Sequence, residues 1–222
     1  MSSYKNFIQD FPSRCEALMN RIEQGNKFDD KKVTGLLMVA SSAINIPFDR
    51  LRPVPENSMP HPSGDSEKYS KAVQQFEQLW NLNFVGSCLC PDNEMEYWKI
   101  AELKDIQSDP DGWRAEYDGI NKEKKVKSIL KIIRNALAHG NLYTKGPKII
   151  EEILFISTLN KSEICDKCKR PIFKTVDHYN CISVTPYAFE QFLKHWFQFI
   201  SELEIPTNIS NYGEDVTIYA IG

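Results

Sequence analysis

Apolar residues recur at intervals of three and four along most of this chain, and that spacing limits what it can fold into. Ile8, Phe11, Cys15, Leu18, Met19 and Ile22 form a first stripe. An α-helix turns about 100° per residue, so such a stripe gathers on one side and must be buried against another element. Pro12 lies inside this stripe. Proline fits best in a first helical turn, so the regular helix is expected to begin there. Lys32 to Ile46 is apolar almost all round, as a central helix would be, and Pro47 is expected to end it. Tyr69, Val73, Phe76, Trp80 and Phe84 mark a third helix, and residues 121–139 a fourth. Thr185 and Pro186 form an N-cap and first-turn pair. Phe189, Phe192, Leu193, Trp196, Phe197, Ile200 and Leu203 then line a final helix.

Two segments break the helical pattern. "EEILFISTL" and "YNCISVT" read as the strands of a hairpin. Residues 53–67, "PVPENSMPHPSGDSE", hold four prolines and little apolar content, the composition of a flexible loop. Trp98 and Trp113 are expected to pack, and "SDPDGW" to turn. With 222 residues, 41% of them hydrophobic, the chain can build one domain with a real core. The expected fold is mainly α: a bundle of four or five helices with a small β-hairpin before the last one. Residues 1–222 are expected to form a single helical domain, with 152–184 as a hairpin insertion.

Formal net charge is −3, which excludes a uniformly basic nucleic-acid binder. The charge is unevenly spread. Residues 91–120 carry nine acids and three bases, whereas 121–148 carry seven lysines, one arginine and one glutamate. An anion-binding surface is therefore expected in the second block, with Lys124, Lys127 and Lys131 as its candidate residues. The opening residues show no apolar signal region, and "VTGLLMVASSAINIP" is too short and polar to span a bilayer. A soluble, cytoplasmic protein without membrane contact is the expectation.

The basic block contains "KIIRNALAHGN", residues 131–141. On a helical wheel Val126, Ile129, Leu130, Ile133, Ala136 and Leu137 share one side. Lys124, Lys127, Lys131, Arg134 and Asn135 fall opposite, and His139 is one turn after Asn135. Two readings fit these residues. In one, the cations complement the negative end of the helix dipole, His139 caps a free carbonyl and Gly140 ends the helix. In the other, they form a reactive site. Histidine titrates near neutrality and can exchange a proton. Arginine offers a fixed fork of donors to a phosphate and stabilises charge developing on it. Asparagine can position a hydroxyl. Such a set suits RNA cleavage by the RNA's own 2′-hydroxyl, without a metal. The reaction needs both an acid and a base, and one helix supplies one histidine. A two-fold dimer would supply two.

"RNALAH" resembles the Arg-x4–6-His signature of the HEPN superfamily, in which a polar residue commonly follows the arginine. The amphipathic helix and the following glycine fit the same family. The resemblance implies a small helical bundle that dimerises through its signature helices. It implies a metal-independent endoribonuclease that leaves 2′,3′-cyclic phosphate ends, in a toxin–antitoxin, abortive-infection or antiviral defence setting with an antitoxin or defence partner protein. Arg134 would contact the phosphate, His139 would act as acid and base, and Asn135 would assist. Some HEPN proteins are not nucleases, so the alternative is a non-catalytic module that binds a nucleotide or a partner protein.

Six cysteines in a chain of this length do not make a disulfide scaffold. Three of them lie in "CDKCKRPIFKTVDHYNC", where Cys165, Cys168, His178 and Cys181 give a C-x2-C-x9-H-x2-C pattern. Two short-spaced pairs returning along a hairpin could complete a tetrahedral structural zinc site. The same residues also read as ordinary loop thiols, an exposed histidine and a cysteine packed in a strand. No cofactor is expected for catalysis.

Overall fold

The computed structural model describes residues 7–24, 31–51, 69–103, 123–146, 149–164, 168 and 171–205. For 7, 23, 24, 159–164 and 171–177 it describes the backbone alone. The expected loop at 53–67, Trp113 with its turn, and Cys165 lie outside the described residues. Within them, five α-helices run as α1 (Phe7–Gln24), α2 (Lys32–Leu51), α3 (Ser70–Asn81), α4 (Val126–His139) and α5 (Pro186–Glu202). Four strands, β1 (Trp98–Leu103), β2 (Leu142–Lys145), β3 (Glu152–Ile164) and β4 (Pro171–Val184), form one antiparallel sheet in the order β1-β4-β3-β2. The fold is mainly α, as its periodicity predicts. The expected hairpin is β3–β4, and it gains a flanking strand on each side.

Pro12 and Pro47 lie inside helices rather than at their ends. α1 begins at Phe7, so Pro12 removes an interior hydrogen bond. An interior proline costs about 3 kcal/mol. Ile8, fully buried, offsets much of this at about 1.5–3 kcal/mol. The Gln9 amide adds to it by donating to the Leu203 carbonyl beyond α5 at 2.8 Å. In the same way α2 continues through Pro47 because Phe48 and Leu51 beyond it are buried. Those last residues carry Asp49.

The sheet sorts its side chains by parity. Trp98, Ile100, Ile182, Val184, Ile153 and Phe155 face the helices and join the main core. Leu103, Leu154, Ile156 and Cys181 form a smaller cluster on the opposite face. Aromatic contacts fill the helical side: Phe155 lies 5.0 Å from Phe189, and Trp98 lies 5.6 Å from Phe192, edge to face. Trp196 donates its indole N–H to the Ala43 carbonyl at 2.9 Å, fixing α5 against α2. The Thr185 side chain accepts from the Ala188 N–H, so Thr185 and Pro186 start α5 as the sequence predicts.

Candidate nucleic-acid site at the end of the fourth helix

α4 is fastened at both ends, and this fastening places its polar side. Before the helix, Phe84 N–H donates to the Lys124 carbonyl at 2.8 Å and Val126 N–H to the Leu82 carbonyl at 3.0 Å. After it, Gly140 takes a left-handed conformation with φ of 69°, which glycine adopts without a Cβ penalty. Asn141 N–H returns to the Ala136 carbonyl at 3.0 Å, and Ile156 N–H of β3 donates to the Asn141 carbonyl at 3.1 Å. The helix end is thereby tied to the middle of the hairpin. Val126, Ile129, Leu130, Ile133, Ala136 and Leu137 are buried as expected, and Ile132 joins them.

On the other side, Arg134 and Asn135 are held in a chain of contacts. Nη1 of Arg134 donates to Oδ1 of Asn135 at 3.2 Å. Its Nη2 lies 3.3 Å from both carboxylate oxygens of Asp49 on α2. Nδ2 of Asn135 donates to Oγ of Ser157 on β3 at 3.1 Å. Ser157 reaches Asn135 because it follows the parity of Phe155 and so faces the helices. Nε of Arg134 is buried without a partner among the described residues, as is Oδ1 of Asn45, one turn before Asp49 on α2. His139 is exposed at the helix end, one turn past Asn135.

The three lysines are not equivalent. Lys127 and Lys131 are exposed on α4 beside Arg134. Lys124 precedes the helix instead of lying on its polar side, and its ammonium pairs with Glu102 of β1. That hydrogen bond holds the Glu102 carboxyl below its usual range, against a smaller opposing effect of desolvation. Lys124 is thus turned toward β1, whereas Lys127 and Lys131 are exposed on the side of α4 that carries Arg134 and are the RNA-contact candidates of that face.

The ladder separates the cysteine pattern. Cys168 sits in the turn of the hairpin, whose last registered pair is Ile164 with Pro171. Cys181 pairs with Ile156, eight ladder positions away. At about 3.4 Å per residue this is about 27 Å. Zinc–sulfur bonds of about 2.3 Å cannot bridge such a span. His178 and Cys181 are three residues apart within a regular stretch of β4, so they occupy opposite faces. Of the expected set, Cys168, His178 and Cys181 therefore do not converge on one ion with this register, and Cys165 lies outside the described residues. Cys181 instead packs, fully buried, against Leu154 and Ile156. Among the described residues no group of three metal-ligating side chains comes together.

Sequence reasoning missed Asp49 and Ser157. The first was lost with the helix residues beyond Pro47. The second could have been found from strand parity, two residues after the inward Phe155.

A family model described as HEPN pEK499 p136 matches residues 1–207. The chain belongs to this HEPN family. No curated protein and no solved structure matches it. The HEPN assignment agrees with the helical architecture and with the position of "RNALAH" at the end of an amphipathic helix. No described helix of this HEPN chain is long and apolar enough to cross a membrane.

Proposed function

We propose that this HEPN chain is a metal-independent endoribonuclease that acts as a homodimer, in a toxin–antitoxin or antiviral defence setting. The observation that carries the reading is the end of α4. There an exposed His139 stands one turn from an Asn135 and Arg134 already fixed by neighbouring side chains. A positioned cation and a solvent-accessible imidazole supply the phosphate contact and one of the two proton-transfer groups that cleavage by a 2′-hydroxyl requires; a second copy supplies the other.

In this mechanism His139 removes the proton of the 2′-hydroxyl as its oxygen attacks phosphorus. Arg134 holds the non-bridging phosphate oxygens, on which negative charge grows. The same histidine of a second copy gives a proton to the departing 5′-oxygen. The products are a 2′,3′-cyclic phosphate and a 5′-hydroxyl end. Lys127 and Lys131 extend the cationic surface along the strand of RNA. The test is cleavage of RNA by purified protein in chelator, with the His139→Ala variant as control. Persistent cleavage by that variant would remove His139 from the mechanism.

The Arg134–Asp49 pair favours a second reading, because the guanidinium already has an anionic partner. The chain would then be a non-catalytic module that binds a nucleotide or a partner protein. That reading predicts a protein that cleaves no RNA while Arg134→Ala weakens nucleotide binding.

A further inference from the structure

Asp49 stands 85 residues before Arg134 in sequence and faces it directly in space. Both carboxylate oxygens lie within 3.3 Å of a single guanidinium nitrogen, and the two side chains are 26% and 29% exposed. The guanidinium is planar, so fixing Nη2 on Asp49 and Nη1 on Asn135 fixes its whole plane. Asn135 is itself fixed, because its Oδ1 accepts from Arg134 and its Nδ2 donates to Ser157. The observed amide orientation satisfies both partners; the flipped one would still suit the Ser157 hydroxyl but would set an N–H against the Arg134 N–H, so Arg134 fixes the choice. Asp49, Arg134, Asn135 and Ser157 thus form one chain of polar contacts across α2, α4 and β3.

We propose that Asp49 is a positioning residue: it orients the Arg134 guanidinium to meet a phosphodiester. This rests on the reading of Arg134 as the phosphate contact. Without the carboxylate, the arginine must find its orientation after RNA arrives, and less of its contact is realised in the transition state. A carboxylate that only tied α2 to α4 would lower stability when removed and would leave the worth of Arg134 to RNA unchanged.

The test is a double-mutant cycle. Binding of a 2′-O-methyl RNA oligonucleotide, which cannot be cut, is measured for the wild type, Arg134→Ala, Asp49→Asn and the double variant. Single-turnover cleavage of unmodified RNA and thermal melting are followed in parallel. Arg134→Ala should weaken binding at least about fivefold in the wild type and less than about twofold in the Asp49→Asn background. Asp49→Asn should slow cleavage at least about tenfold, and Asp49→Glu should recover most of that rate. Equal losses from Arg134→Ala in both backgrounds would overturn the proposal, as would no loss in the wild type. A rate that falls in step with melting temperature in both Asp49 variants would reduce Asp49 to a structural tie. If the wild type cuts no RNA, the nuclease reading fails, and the binding cycle alone decides whether Asp49 orients Arg134.

Discussion

The end of α4 and the β3–β4 hairpin each carry a short pattern of reactive residue types, and the two patterns meet opposite fates. On the helix, residues one turn apart lie on one face, so Asn135 and His139 stay neighbours. On the hairpin, Cys181 and the turn that carries Cys168 are separated by a ladder of about 27 Å, because a strand advances more than twice as far per residue. A spacing is therefore a statement about geometry only once the secondary structure beneath it is known. The helix pattern gained two partners from distant parts of the chain, whereas the hairpin pattern was pulled apart.

The largest expected effect breaks or keeps this contrast at once. His139→Ala should lower RNA cleavage about 10²–10⁴-fold, the usual contribution of a positioned acid–base group. Cys181→Ser should leave the rate within about twofold. Gel analysis of labelled RNA in chelator reads both, and equal loss from the two variants would erase the distinction.

Next in size is the behaviour of the thiols buried in the helical part. Burial pushes the Cys15 thiol up from 9.0 to about 11, and burial with the nearby Glu94 and Asp92 charges pushes Cys90 to about 12. The fold keeps protons that the unfolded chain releases. Their stabilising contribution is thus complete below about pH 9 and is lost as pH rises toward about 11 and 12. The loss is about 1.4 kcal/mol per thiol for each pH unit. Urea titrations between pH 8 and 11 should show this decline, and a Cys15→Ala, Cys90→Ala double variant should show a shallower one. Parallel declines would mean that these thiols do not set the alkaline limit.

A smaller effect tests the link between the two regions. Ser157→Ala removes the acceptor for Asn135 and should cost about 1 kcal/mol in equilibrium unfolding. An unchanged midpoint would mean that the hairpin does not steady the helix end. The smallest expected effect is none at all. Cys181→Ser should leave the zinc content of the purified protein unchanged, because Cys181 packs among apolar side chains away from the turn. Zinc lost only in that variant would require a different hairpin register.

Much of the fold was legible because burial has a period. The inward faces of α4 and α5 could be read residue by residue; Leu18, expected on the buried stripe of α1, is exposed, and Phe84, expected on the third helix, is buried beyond the end of α3. The hairpin strands were found but run longer than the apolar segments that announced them. The ends of α1 and α2 could not, since a proline argues locally while Ile8, Phe48 and Leu51 gain their burial from distant partners. β1 and β2 were missed because a strand at the flank of a sheet is defined by its partner: "WKIAEL" and "LYTK" are short and become strands only beside β4 and β3. At the site, Arg134, Asn135 and His139 were visible as neighbours along one helix. Asp49 was not, because no spacing rule relates it to a residue 85 positions away; strand parity turns Ser157 inward, but not toward a particular residue 22 positions earlier.

The placement of Ser157 under Asn135 sets a rule for how this chain can change length. Side chains alternate along a strand, so one residue inserted between Leu142-paired Phe155 and Ser157 would turn the hydroxyl to the far side of the sheet. Beyond Ser157, toward the turn, matched residues can be added to or removed from both arms while the register at the helix end stays the same. The hairpin is thus a handle whose reach is open to trimming, grafting or extension, mounted on a base whose length is not.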